Sequence, residues 1–258
     1  MTLISARGLG FGYPGKAVGR GVDLDVGAGE IVCLLGPNGS GKTTLFKTLL
    51  GLIPAQAGVV TIEGNKIGSL SRQEIARRVA YVPQAHAAQF PYRVLDMVVM
   101  GRTAHLGLFA APTEADRQKA LASLDLLGIA DLAEQAYTRI SGGQRQLALI
   151  ARALAQETRL IVMDEPTASL DFGNQVKVLR EAKRLAARGL GVVLSTHDPD
   201  HALATASRVL LLHEGGLVAD GPPRDVLTPE RLNIVYGVKV TIETLSEGST
   251  VCAPFYGA

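Results

Sequence analysis

The octet "GPNGSGKT", Gly36 to Thr43, constrains this chain more than any other stretch. It follows the continuous apolar run "EIVCLLG" and precedes "KTTLFKTLLGLI", whose apolar residues recur at helical spacing. A glycine-rich loop between a buried strand and a helix demands an α/β core with a parallel sheet. The glycines let successive backbone N–H groups converge on one point, and the helix N-terminus adds partial positive charge there. Phosphate is the ligand such a loop suits. Lys42 is placed to reach the β- and γ-phosphates of a nucleotide, and Thr43 to offer its hydroxyl to Mg²⁺. The run "RLIVMDE" supplies a second half: a short strand carries Asp164 to its carboxyl end as a Mg²⁺ holder, with Glu165 next to polarise an attacking water. With no guanine-reading N-K-x-D in the chain, ATP is the expected nucleotide.

Around these two pieces the pattern alternates. The first thirty residues read as an antiparallel β patch with glycine-rich turns. Strand character returns at "GVVTIEGNKI". From about Ala85 to Gln156 the spacing is helical, with Thr113 and Asp116 opening one helix as a capping box and Ala120, Leu121, Leu124 and Leu127 as its apolar stripe. Strands resume at "RLIVMDEP" and "GVVLSTHD", with a helix between them, and "RVLLLHEGGLVADG" reads as a hairpin with a Gly-Gly turn. The fold class is therefore α/β: a P-loop core with a mostly parallel sheet, an N-terminal antiparallel patch and an inserted helical subdomain. The expected domain spans 1–228, with the helical subdomain at about 86–156, and 229–258 form a short tail.

Composition excludes several functions. Net charge is +2 and no basic run occurs, so no nucleic-acid or headgroup surface is expected. Trp is absent and aromatics make up 5%, which argues against a stacking surface for sugars or nucleobases. The two cysteines, Cys33 in an apolar run and Cys252 near the end, make no disulfide framework and suit a reducing cytosol. No secretory leader and no membrane-spanning run is expected, so a membrane role would need a partner to supply the membrane part.

A second glycine pair stands in "TRISGGQRQLALIARALAQ". Two glycines at a helix start weaken the helix, which calls for a reason beyond helix formation. Ser141 can cap that helix while its amides form an anion site, and Leu147, Ile150, Ala151 and Leu154 give it a core-facing stripe. Taken alone, Ser-Gly-Gly also suits a plain capping turn.

Taken in order, "GPNGSGKTT", the Gln84 of "YVPQ", "SGGQRQ", "MDEPTASLD" and "STHD" make the chain resemble the ATP-binding subunit of an ABC transporter over essentially its whole length. That resemblance implies a head-to-tail dimer, each nucleotide sandwiched between the P-loop of one copy and the signature of the other. It assigns Gly36, Pro37, Asn38, Gly39, Ser40, Gly41, Lys42, Thr43 and Thr44 to the nucleotide, with Tyr13 stacking on adenine. Ser141, Gly142, Gly143 and Gln144 would act in trans. Gln84 is then the Q-loop residue, Asp171 closes a loop that crosses the dimer, and His197 is the switch histidine. Catalysis falls to Glu165, His197, Gln84 and Lys42, and Mg²⁺ to Thr43, Gln84 and Asp164. Ile140 replaces the usual Leu before the signature serine. His197 and His201 stand at i, i+4 but lack a third nearby ligand for zinc.

The stretch after Gln84, "FPYRVLDMVVMGRTAHLGLFAAPTEAD", resembles the type II bacterial importers of iron–siderophore, haem, cobalamin and molybdate. The expected partners are a second copy, two integral-membrane permease subunits and, indirectly, a substrate-binding protein. The expected location is the cytoplasmic face of the inner membrane. Segment 85–110 would carry the permease groove, with Arg102 and Asp96 as candidates. Iron–siderophore is the first-choice cargo. The alternative readings are an exporter subunit or a soluble non-transport ABC ATPase, although the short stretch between Gln84 and Ser141 is not expected to hold the long coiled coil of the chromosome and DNA-repair kind.

Overall fold

The computed structural model describes all residues except 85–89, 108, 169 and 257–258. Strands β1 (Thr2–Tyr13) and β2 (Lys16–Gly27) pair antiparallel, and β3 (Ile31–Leu35) leads through the glycine-rich loop into α1 (Lys42–Leu49). Strands β4 (Ala57–Ile62) and β5 (Asn65–Lys66) complete a four-stranded antiparallel sheet in the order β2-β1-β4-β5. After α2 (Arg72–Ala76) and β6 (Val79–Val82) the chain enters a helical segment: α3 (Val94–Val99), α4 (Glu114–Leu126) and α5 (Gly142–Ala155). It returns through β7 (Leu160–Met163), α6 (Phe172–Ala187), β8 (Gly191–Thr196), α7 (Pro199–Thr205), β9 (Arg208–His213) and β10 (Gly216–Gly221).

The second sheet runs β10-β9-β3-β8-β7-β6, parallel throughout except for the edge strand β10. Every residue of β3, β7 and β8 is buried, as expected of parallel strands covered on both faces. Alternation along β3 divides the interior. Ile31, Cys33 and Leu35 join the core shared with the helical segment and α6. Val32 and Leu34 join the core under α1 and the antiparallel sheet. Cys33 is thus a small core residue, and burial pushes its thiol pKa well above the ordinary range.

Two expectations are corrected. In the β9–β10 hairpin Gly216 pairs with His213, so the turn is Glu214-Gly215 rather than Gly-Gly. Both turn residues have positive φ, 47° and 75°, the backbone hand that suits the right-handed twist of a two-residue hairpin. Arg102 does not face a groove. It is 4% exposed, with Nε donating to Asp116 at 2.9 Å and Nη1 to the Ala155 carbonyl at 2.7 Å and Glu157 at 2.8 Å. A guanidinium fork fits that convergence, and it ties the start of α4 to the end of α5. Together with the Thr113 capping bonds it holds the Asp116 carboxyl well below the usual carboxylate range. Asp96 is half-buried and pairs with Arg93 at 2.8 Å.

After α8 (Pro223–Val226), the last thirty residues hold α9 (Pro229–Tyr236) and a hairpin of β11 (Val240–Thr244) and β12 (Thr250–Pro254). Val240, Ile242 and Cys252 pack against the main core, and the Cys252 amide donates to Asp200 at 2.7 Å.

Candidate functional site

In the loop after β3 two glycines have no room for a side chain. A Cβ at Gly36 would run into the Leu212 carbonyl, and one at Gly41 would press on Val18 and Phe11. Gly39 and Gly41 also have left-handed φ, 83° and 104°, which an L side chain rarely adopts. The loop therefore turns tightly enough to aim its amides inward. No side chain caps the start of α1 and no acidic residue lies in its first turn, so those N–H groups are available to an external anion.

Lys42 folds back into this loop. It is 5% exposed, and Nζ donates to the Gly36 carbonyl at 2.8 Å and the Pro37 carbonyl at 3.1 Å. The Glu165 carboxylate stands 3.3 Å from the same ammonium and forms an ion pair with it beside those two hydrogen bonds. The Ser40 hydroxyl beside it is buried without a partner among the described residues.

The end of β7 supplies the facing wall. Asp164 is 2% exposed and accepts from Ser195 Oγ at 2.7 Å and from the Tyr81 hydroxyl at 3.3 Å. Burial, followed by the adjacent Asp164 charge, raises the Tyr81 phenol pKa, which keeps it a donor. Ser195 Oγ also accepts the Glu165 N–H at 2.9 Å. Glu165 itself holds φ 44°, a strained value for a residue with a side chain. That turn swings its carboxylate between Lys42 and His197, whose Nδ1 lies 3.6 Å from Oε2. His197 is half-exposed at the end of β8. His201 is instead partly buried, with Nδ1 3.2 Å from Thr196 Oγ1 and 3.3 Å from Thr167 Oγ1.

A cavity of about 700 Å³ opens over the loop and brings Tyr13, Lys42, Thr43, Thr44, Gln84 and Glu165 to one surface. Lys16, at the start of β2, joins them and was not singled out from the sequence. Ser195 and Tyr81 were missed too: they open the quoted "STHD" and "YVPQ", but what they do depends on Asp164 opposite them. Thr43 and Gln84 line this cavity, whereas Asp164 is buried behind Glu165 and outside the lining; taken together, the three would offer oxygen donors with a single carboxylate. Such a set suits Mg²⁺, which keeps waters and takes the remaining ligands from substrate phosphates.

Ser141, Gly142 and Gly143 lie elsewhere and do not line this cavity. Ser141 caps α5 by accepting the Gln144 N–H at 3.2 Å, while Gln144 Oε1 accepts the Ser141 N–H at 2.9 Å. Gln144 is thus turned back on its own helix. Leu147, Ile150 and Ala151 are buried, which makes α5 a rigid mount, and Ile140 packs in the same core at 5% exposure. Asp171 caps α6 by accepting the Asn174 N–H at 2.8 Å. One chain therefore presents two helix mouths that do not meet. Among the described residues no helix is long and apolar enough to cross a membrane.

Comparison with known proteins gives one consistent result. Residues 20–168 match the family described as ABC transporter. An uncharacterized ABC transporter ATP-binding protein of Haemophilus influenzae is 43% identical over 92% of this chain and 90% of its own length. A hemin import ATP-binding protein of Thermobifida fusca is 37% identical over 93% of this chain and 84% of its own length. Among solved structures, a chain of a transporter described as metal-chelate type, in an inward-facing conformation, is 35% identical with a TM-score of 0.87. That match covers 99% of this chain and 98% of the other.

Proposed function

Because this chain belongs to the ABC transporter ATP-binding family, whose members are ATPases, we propose that it powers an importer, coupling ATP hydrolysis in a head-to-tail dimer to uptake of a metal chelate through a separate permease. The carrying observation is that Lys42, Glu165 and His197 converge beside one cavity while Ser141–Gly143 stand apart from it. A second copy, turned head to tail, would bring its Ser141 and α5 amides over the terminal phosphate and complete the site. Tyr13 at the cavity edge would stack on adenine, and the loop from Gly36 to Thr44 would cradle the phosphates.

Phosphate in the loop would compete with Glu165 for Lys42. The released carboxylate then faces His197, and the pair can orient a water for in-line attack on the γ-phosphate. Thr43, Gln84 and Asp164 would hold Mg²⁺, which supplies neutralising charge to the phosphates when bound. Ser195 and Tyr81 keep Asp164 aimed, and Ser195 fixes the backbone of Glu165. Closure of the dimer would move the permease, and phosphate release would reopen it.

The hemin-import and metal-chelate relatives support a metal chelate as cargo, which puts haem beside the iron–siderophore favoured from sequence. They support a place at the cytoplasmic face of the membrane, held there by the permease. Mixing two inactive copies tests the divided site. A Lys42→Ala chain and a Ser141→Arg chain are each expected to lack ATPase activity, and their mixture to regain it, because one of its two composite sites is intact. A mixture as inactive as its components would overturn the sandwich.

A further inference from the structure

The two glycines that open α5 stand in different surroundings. A Cβ at Gly142 would meet nothing within 4 Å, whereas one at Gly143 would run into the Asn174 side chain from the first turn of α6. The same side chain has a second engagement. Asn174 Nδ2 donates to Asp171 Oδ2 at 2.8 Å, while the Asn174 backbone N–H donates to Asp171 Oδ1 at 2.8 Å. One carboxamide is thus held between the Asp171 carboxylate and the backbone of Gly143. Among the described residues no hydrogen bond joins Ser141–Gln144 to Asp171–Gln175, so shape alone links the two segments. That makes the Asn174 contact the spacer between them.

We propose that Asn174 is a positioning residue: it fixes the Asp171 loop and the Ser141–Gly143 helix mouth as one rigid unit offered to the second copy. This rests on the sandwich reading, in which both segments act in trans. The physical reason is pre-organisation. Glycine at 143 lets α5 approach until the amide face of Asn174 fills the space of the missing Cβ. Both Asp171 oxygens are occupied by the same residue, so the carboxylate cannot rotate independently of α6. Two loops that must reach one phosphate at the same moment cost less to order when they are already joined.

Three variants of the full chain test this. Asn174→Ala removes the spacer, and Asn174→Asp keeps its shape but sets a carboxylate against Asp171. Both are expected to lower kcat for ATP hydrolysis about tenfold, well inside the roughly hundredfold that an ångström of misplacement can cost, with KM for ATP and the thermal midpoint little changed. Gly143→Ala should be more damaging, because its methyl group displaces Asn174. The pair Gly143→Ala with Asn174→Gly should recover several-fold over Gly143→Ala alone, a coupling that two independent structural defects do not give. Wild-type kcat in both Asn174 variants, or no recovery in the pair, overturns the proposal. ATP-driven dimerisation of Glu165→Gln with native Asn174, followed by light scattering, tests the premise separately. If no dimer forms there, the sandwich reading falls and the role of Asn174 with it; if dimers form equally with Asn174→Asp added and kcat is unchanged, only the positioning role falls.

Discussion

The Lys42 ammonium lies 3.3 Å from the Glu165 carboxylate, so the cation of the glycine-rich loop and the acid at the end of β7 form an ion pair across the cavity. His197 approaches the other oxygen of that carboxylate at 3.6 Å. Glu165 therefore stands between Lys42 and His197, and in the proposed mechanism it must leave the first to act with the second.

Glu165→Gln keeps the shape and removes the proposed base. Hydrolysis should fall by about 10²–10⁴-fold, the span a positioned general base supplies, while ATP binding persists and a stable ATP-bound dimer accumulates. Phosphate release and light scattering read the two outcomes. Turnover at the wild-type rate would sink the assignment.

Ser195→Ala should show that Asp164 is aimed rather than merely present. The change strips a donor from buried Asp164 Oδ1 and an acceptor from the Glu165 N–H. A lost pairing of that kind costs about 1–3 kcal/mol, visible as a lower denaturant midpoint, and hydrolysis should drop with it. An unchanged midpoint would mean that water replaces the hydroxyl without penalty.

Tyr13 separates stacking from hydrogen bonding. Tyr13→Phe should leave KM for ATP nearly unchanged, whereas Tyr13→Ala should raise it by roughly tenfold, in line with the roughly 1–3 kcal/mol of a base–aromatic stack. Equal KM values for the wild type and Tyr13→Ala would place the adenine elsewhere.

His201 gives a pH dependence with a definite sign. Burial between Thr167 and Thr196 is the main reason its pKa lies below the ordinary imidazole range, with the nearby His197 acting the same way and Asp198 and Asp200 opposing. The unfolded chain then binds the proton more readily than the folded one. This stability is complete above roughly pH 6.5 and is lost as pH falls below it toward the depressed folded value. The thermal midpoint of the native chain should fall more between pH 7.5 and 5.5 than that of His201→Gln; identical slopes would remove His201 as the cause.

Much of the site is visible in one dimension. The glycines of 36–41, Lys42 and Thr43 must be contiguous because a single turn forms the cradle, and Asp164-Glu165 must be adjacent because one strand end presents both. Thr113 and Ser141 announce their helices because capping is a matter of residues three apart. Arg102 misled because burial is not local: its partners Asp116 and Glu157 come from two other segments. Ser195 and Tyr81 open the quoted motifs "STHD" and "YVPQ", yet their roles are not legible there, since each matters only through Asp164 opposite it; Lys16 stands in no quoted motif.

The amino-acid order by itself determined the strand–loop–helix cradle, the acidic strand end and a second anion-ready helix mouth, all of them set by backbone geometry over a few neighbouring residues. Only the tertiary structure decided that the two mouths lie apart within one chain, that Lys42 pairs with Glu165, and that the glycines of 142–143 differ in purpose. Gly142 is left open, while Gly143 makes room for Asn174, a side chain some thirty residues away that packing alone could bring there.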